Sequence, residues 1–126
     1  MSDYPENWKE IAGQVKEDAG WKCVRCFHPH DPDAGYCLTV HHLDNNKSNC
    51  AWWNLAALCQ RCHLHIQSKV DMKRLWFLDH SSWFVPFVAG YYASLRNLPD
   101  DKDYVNANLE DLLDMSKLAG NKNSTP

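Results

Sequence analysis

Cys23-Val-Arg-Cys26, Val40-His41-His42-Leu43, Asn54-Leu55 and Leu58-Cys59-Gln-Arg-Cys62-His63 follow one another along a single stretch of the chain. That order decides how the domain is read. Tetrahedral zinc takes four soft ligands, and each C-x-x-C knuckle supplies two from one tight turn. Thirty-two residues lie between Cys26 and Cys59. A cage of Cys23, Cys26, Cys59 and Cys62 therefore ties the start of the domain to the start of its second helix, and structural Zn²⁺ restrains a module with a limited core. A redox dithiol needs only one such pair. Cys37 and Cys50 fit neither knuckle; Cys37 is expected as a buried thiol in a strand, and Cys50 is left open. A RING-type double site fails, because the chain lacks the next ligand pair after Cys37 and His41.

With 126 residues, 44% of them apolar, the chain has the size of one ordinary domain with a modest core. Six cysteines could instead indicate a secreted disulfide scaffold. No signal peptide is visible at Met1-Ser2-Asp3-Tyr4-Pro5, and no apolar run approaches the roughly 20 residues of a membrane span. The expectation is a cytoplasmic, reducing setting with no membrane partner.

The formal charge of −3 is unevenly placed. Residues 1–97 carry ten Lys/Arg and ten Asp/Glu, whereas residues 98–126 carry three Lys and six Asp/Glu. A Zn(Cys)₄ cage adds a further net charge of about −2, four thiolates against one dication. No strongly basic surface remains to grip phosphate by bulk electrostatics. Nucleic-acid affinity is expected to be weak and salt-sensitive, or assisted by a partner.

Asn7 to Ala19 predicts an amphipathic helix, with Trp8, Ile11 and Val15 on one face and Gly20 as its stop. His28 to Gly35 is loop by composition. Tyr36 to Leu43 alternates as a strand, with Leu38, Val40 and His42 on one face and Thr39 and His41 on the other. Asp44 to Asn49 is polar loop, Leu55 to Leu58 a second short strand, and Arg61 to about Arg74 favours helix. Leu75 to Leu98 is rich in aromatics, among them Trp76, Phe77, Trp83, Phe84, Phe87, Tyr91 and Tyr92. Pro86 suits the first turn of a helix running to about Asn97. The aromatics are read as core packed on the preceding helix, with a surface for a protein partner, self-association or bases as the alternative. Asp100 to Leu118 contains an acidic helical segment, with frayed ends expected over 121–126.

Chemistry enters with the histidines. Hydrolysis of a phosphodiester with one metal needs a divalent cation against the phosphate, a base that takes a proton from water, and a scaffold holding the two a few ångströms apart. Imidazole serves either role near neutral pH. Neighbouring strand residues point to opposite faces, so His41 and His42 cannot do the same job.

Taken together, Cys23-x-x-Cys26, Val40-His41-His42, Asn54-Leu55 and Leu58-Cys59-x-x-Cys62-His63 resemble the HNH endonuclease family, of the ββα-metal fold. The resemblance covers about residues 8–70. It implies an α+β fold: a small zinc-stabilised ββα-metal domain with an N-terminal helix and a helical C-terminal extension. Together with the aromatic stretch and the charge distribution, it suggests a nuclease domain with its aromatic extension over 1–98 and an acidic, partly helical tail over 99–126. His41 and His63 are implied as ligands of a catalytic divalent cation (Mg²⁺, Mn²⁺, Ni²⁺ or Zn²⁺), His42 as the general base, and Asn54 as the residue that orders the loop and helps to orient that base. DNA is the implied substrate, with 5′-phosphate and 3′-hydroxyl products. Small proteins of this kind resemble those of bacteria and phages, which places the chain in a bacterial cytoplasm, or a host's if phage-encoded.

His63 has an alternative as a zinc ligand in place of a cysteine, and His65 as an accessory phosphate or metal contact. Gln67, one turn after His63, is placed to assist the metal. Lys47, Arg61, Lys69, Lys73 and Arg74 are the candidate phosphate contacts, while His28, His30 and His80 carry no assigned task. Two other functions remain open: a catalytically weak nucleic-acid-binding or assembly module of the same fold that needs a partner, and a structural zinc domain whose aromatic extension binds protein.

Overall fold

The computed structural model describes residues 4–67, 69–74 and 81–114. Among these the protein is small and α+β, with one two-stranded antiparallel sheet and five helices. Residues 1–78 and 79–126 form two compact units.

In the first unit, α1 spans Trp8–Asp18 and packs on both strands. Trp8, Ile11 and Val15 are half-buried along the expected face. The helix stops where the chain turns left-handed: Gly20 has φ +66°, which a residue without Cβ adopts at no steric cost. The Gly20 and Trp21 N–H groups then close on the Glu17 and Lys16 carbonyls at 2.8 and 2.9 Å. The first cysteine knuckle follows, and its Val24 N–H donates to Ala57 O at 2.9 Å, fastening the knuckle to the second strand.

Strand β1, Leu38–His42, pairs with β2, Leu55–Cys59; Leu38 lies opposite Cys59, Thr39 opposite Leu58 and His42 opposite Leu55. The alternation expected for 36–43 is present, with the regular ladder trimmed at both ends. Every residue of β2 is buried. Cys37 is half-buried rather than buried, because it precedes the ladder.

Helix α2, Gln60–Ile66, begins on the second knuckle: Cys59 Sγ accepts the Cys62 N–H at 3.4 Å, so one residue caps the helix and sits in the cysteine cluster. The helix expected to reach Arg74 ends at Ile66. Beyond it the chain turns back onto the end of β1. Val70 and Met72 are buried there, and the Met72 N–H donates to Leu43 O at 2.8 Å. Burial of those two side chains outweighs the helical composition of the segment.

In the second unit, α3 spans Val85–Leu95 with Pro86 in its first turn. The acidic segment breaks into α4, Lys102–Ala107, and α5, Leu109–Leu112, at Asn108, whose Nδ2 donates back to Tyr104 O at 2.8 Å. Both short helices pack on α3, and Val105 and Leu112 are fully buried. The leucine pattern of this acidic stretch therefore serves the packing of its own unit. Trp83 meets Phe84 and Phe87 with ring centroids 5.0 and 6.2 Å apart. Trp76, Phe77, His80, Leu118 and residues 121–126 lie outside the described residues. Among the described residues, no helix is long and apolar enough to cross a membrane.

Candidate functional site

Cys23, Cys26, Cys59 and Cys62 come together, with their sulfurs all within 4.8 Å of one another. The Cys26 and Cys59 sulfurs are 3.8 Å apart. A tetrahedron with Zn–S bonds of about 2.3 Å has S···S edges of about 3.8 Å, so the cluster has the dimensions of a zinc cage. The donor set fits too. Burial raises the Cys23 thiol, but N–H groups of Cys26, Cys59 and Arg25 outweigh it and draw Cys23 down to about 7. Burial pushes Cys62 up to about 12, against the opposing pull of Arg25. Without a cation, four adjacent thiolates would repel one another; a dication removes that cost. Arg25 Nη1 lies 3.4 Å from Cys62 Sγ and offsets part of the negative charge of such a cage. Four close cysteines can thus hold a structural metal such as zinc, and all of them are free thiols.

A second cluster sits at the end of β1. Strand alternation sends His41 and Thr39 toward α2 and His42 toward α1. The His41 and His63 rings are 4.5 Å apart, and the His42 ring lies 4.8 Å from Trp8. All three histidines nonetheless line one open cleft of about 170 Å³, with Tyr4, Val40, Asn45, Lys47 and Gln67. Burial pushes His41 down to about 4, with the neighbouring His63 and His42 as lesser causes. Burial also lowers His42, reinforced by Lys47 and opposed by Asp44, and lowers His63. Burial thus favours the neutral ring at all three, and neutral imidazole is the form that binds metal or accepts a proton. Nε2 of His41 and Nε2 of His42 are both buried with no hydrogen-bond partner. Buried polar atoms without partners are rare and expensive. Two of them in one cleft, beside a third neutral imidazole, form a donor set that fits a divalent cation and a water or phosphate oxygen.

Asn54 organises the loop that follows β1. It is fully buried; its Oδ1 accepts the Asp44 N–H at 2.8 Å, and its Nδ2 donates to Asp44 Oδ1 at 2.8 Å and to Asn49 O at 2.9 Å. Asp44 is buried as well, and accepts from the Asn46 N–H and from Asn49 Nδ2. Leu43 N–H closes on Asn54 O at 2.8 Å. The loop is thus welded to the start of β2 immediately after His42.

Of the candidate phosphate contacts, Lys47 lines the cleft, with Nζ 5.1 Å from the Tyr4 ring. Arg61 is occupied elsewhere: it donates to Gly35 O and Ala34 O at 3.2 Å and stacks 4.5 Å over Tyr36. Gly35 has φ +86°, which L side chains rarely adopt, and a Cβ there would sit 2.9 Å from Arg61 Nη2, so the guanidinium would have to shift. Lys69 is exposed, Lys73 pairs loosely with Asp44 at 3.9 Å, and Arg74 pairs with Asp71 at 3.8 Å. His65 is exposed and does not line the cleft. His28 and His30 have structural tasks: His28 stacks on Tyr36 at 3.6 Å, and His30 Nδ1 accepts the Leu38 N–H at 2.9 Å.

Four residues in or behind the cleft were given no functional role by sequence. Tyr4 and Trp8 stack on each other at 4.8 Å and lie against His42. Asp44 is the carboxylate beneath the loop, and Thr39 contacts His63. Thr39 carried a signal, since it shares a strand face with His41; Asp44 carried none beyond its place after the paired histidines.

No protein-family model matches the chain, and no solved structure matches it. Over 62 residues it is 37% identical to the Zorya protein ZorE of Escherichia coli, a match that covers 49% of this chain and 17% of that protein. The matching stretch is thus a small part of the relative's length.

Proposed function

We propose that this chain is a metal-dependent DNA endonuclease of HNH type, which hydrolyses phosphodiester bonds with one divalent cation and a histidine base. One observation carries the proposal: His41 and His63 lie ring to ring, while the buried Nε2 atoms of His41 and His42 have no partner in the same cleft. His41 and His63 would hold the cation, which when bound would neutralise the charge that builds up on the phosphodiester. His42 takes the proton of the attacking water. Burial favours its neutral form, and the Trp8 ring lies against it, 4.8 Å away and tilted by 31°. Asn54 holds the loop that follows His42, and Lys47 is the cationic side chain lining the cleft, suited to contact a phosphate. The order and spacing of the motif residues support the same reading.

Purified protein incubated with supercoiled plasmid and Mg²⁺, Mn²⁺ or Ni²⁺ should convert it to nicked or linear forms, and His42→Ala should not. Absence of conversion with all three ions would sink the nuclease reading. A second reading is a nucleic-acid-binding or assembly module of this fold that needs a partner. It is favoured by the balanced charge of residues 1–97 and by the exposed Phe27 and Leu64, 70% and 73% accessible. DNA retention without cleavage would support it.

A further inference from the structure

Thr39 Oγ1 has two partners. It lies 2.7 Å from Leu58 O and 2.9 Å from His63 Nδ1. A hydroxyl carries one proton, and a carbonyl oxygen can only accept. If the Thr39 proton pointed at His63, two oxygens bearing lone pairs would face each other at 2.7 Å with nothing between them. The proton therefore goes to Leu58 O, and Thr39 Oγ1 offers a lone pair to His63 Nδ1. That nitrogen must carry its own hydrogen. A neutral imidazole has one ring N–H, so Nε2 of His63 is left with a bare lone pair.

We infer that Thr39 is a positioning residue that locks His63 as the Nδ1–H tautomer, leaving Nε2 as its single ligand atom. The tautomer itself follows from the hydrogen bonds alone; its use for a cation rests on the function proposed above. The arrangement is built by the strand. Thr39 and His41 sit two residues apart on one face of β1, and His63 reaches both from α2. The cross-strand pairing of Thr39 with Leu58 holds the hydroxyl against Leu58 O, independently of His63. Imidazole side chains in water favour the opposite tautomer, with hydrogen on Nε2, so an unassisted His63 would have to rearrange before binding a cation. Partners that orient the second ring nitrogen of a metal-bound histidine typically change metal affinity about 10–100-fold.

The test is a ¹⁵N–¹H multiple-bond correlation spectrum of the folded protein without added divalent cation, alongside Mn²⁺ titrations of the wild type, Thr39→Val and Thr39→Ser. The spectrum should show hydrogen on Nδ1 of His63. Thr39→Val keeps the shape but removes the acceptor; it should move hydrogen toward Nε2 and weaken Mn²⁺ binding about 10–100-fold. Thr39→Ser should restore both. An Nε2–H tautomer in the wild type overturns the inference, as does a Thr39→Val protein with unchanged tautomer and unchanged Mn²⁺ affinity. A wild type with the Nδ1–H tautomer but no Mn²⁺ binding supports the lock and removes the metal reading of the cleft. If Thr39→Val does not fold, the wild-type and Thr39→Ser spectra still decide the tautomer.

Discussion

Asn54 grips Asp44 at two points, its amide oxygen on the Asp44 backbone N–H and its amide nitrogen on the Asp44 carboxylate, each at 2.8 Å. Both residues are buried, so neither hydrogen bond can be replaced by bulk water. The pair anchors the loop that begins one residue after His42.

Asn54→Ala leaves the Asp44 N–H and Asn49 O without their Asn54 partner and takes one of three hydrogen-bond donors from the Asp44 carboxylate, which keeps those from Asn46 and Asn49. Unsatisfied buried groups cost about 1–3 kcal/mol each, more when charged. We expect a loss of several kcal/mol in denaturant unfolding, with a lower midpoint at an unchanged slope. A variant within 0.5 kcal/mol of wild type, taking about that as the scatter of harmless surface changes, would mean that the loop holds without Asn54.

The cysteine cluster predicts a metal-dependent fold. Cys26→Ser and Cys59→Ser should each lose bound zinc and melt well below wild type, because the cage contributes its binding free energy to folding. Elemental analysis paired with thermal melting checks this. Full zinc content and unchanged melting in both variants would remove the four-cysteine assignment.

The three cleft histidines should separate by role. His41→Ala and His63→Ala each remove a direct ligand and should weaken Mn²⁺ binding in calorimetry. His42→Ala should leave that binding nearly intact while lowering turnover by about 10²–10⁴-fold, the usual contribution of a general base. If His42→Ala loses the ion while His41→Ala binds it normally, the roles are reversed.

Acid should destabilise the fold in a window set by His41. Its folded pKa is about 4 against an ordinary 6.5, because burial penalises the charged ring. Between those values the unfolded chain takes up a proton that the folded protein refuses. Unfolding free energy therefore rises with pH across this window, by up to about 1.4 kcal/mol per pH unit for one group. The contribution is fully present above pH 6.5 and is lost as pH falls through 4. Urea titrations between these limits should show a shallower pH slope for His41→Leu than for wild type. Equal slopes would mean that His41 is solvated in solution.

What could be read from the sequence was local. Two C-x-x-C turns each present two sulfurs whatever the rest of the chain does, so the cysteine cluster was legible from spacing. The period-two alternation of 38–42 and the helical spacing of Trp8, Ile11 and Val15 are properties of the backbone, and both elements form as expected. The packing partners were not legible. Arg61 looks like a phosphate contact by charge, yet it reaches back to Gly35, because a loop distant in sequence offers carbonyls and the Tyr36 ring. Helix α2 ends at Ile66 because burying Val70 and Met72 beneath the end of β1 outweighs helical propensity. The sequence alone determined the ligand types and the faces on which the histidines stand. Only the tertiary structure decided that Thr39 meets His63, Trp8 meets His42 and Asn54 meets Asp44, since those meetings depend on strand register and on how each helix seats against the sheet.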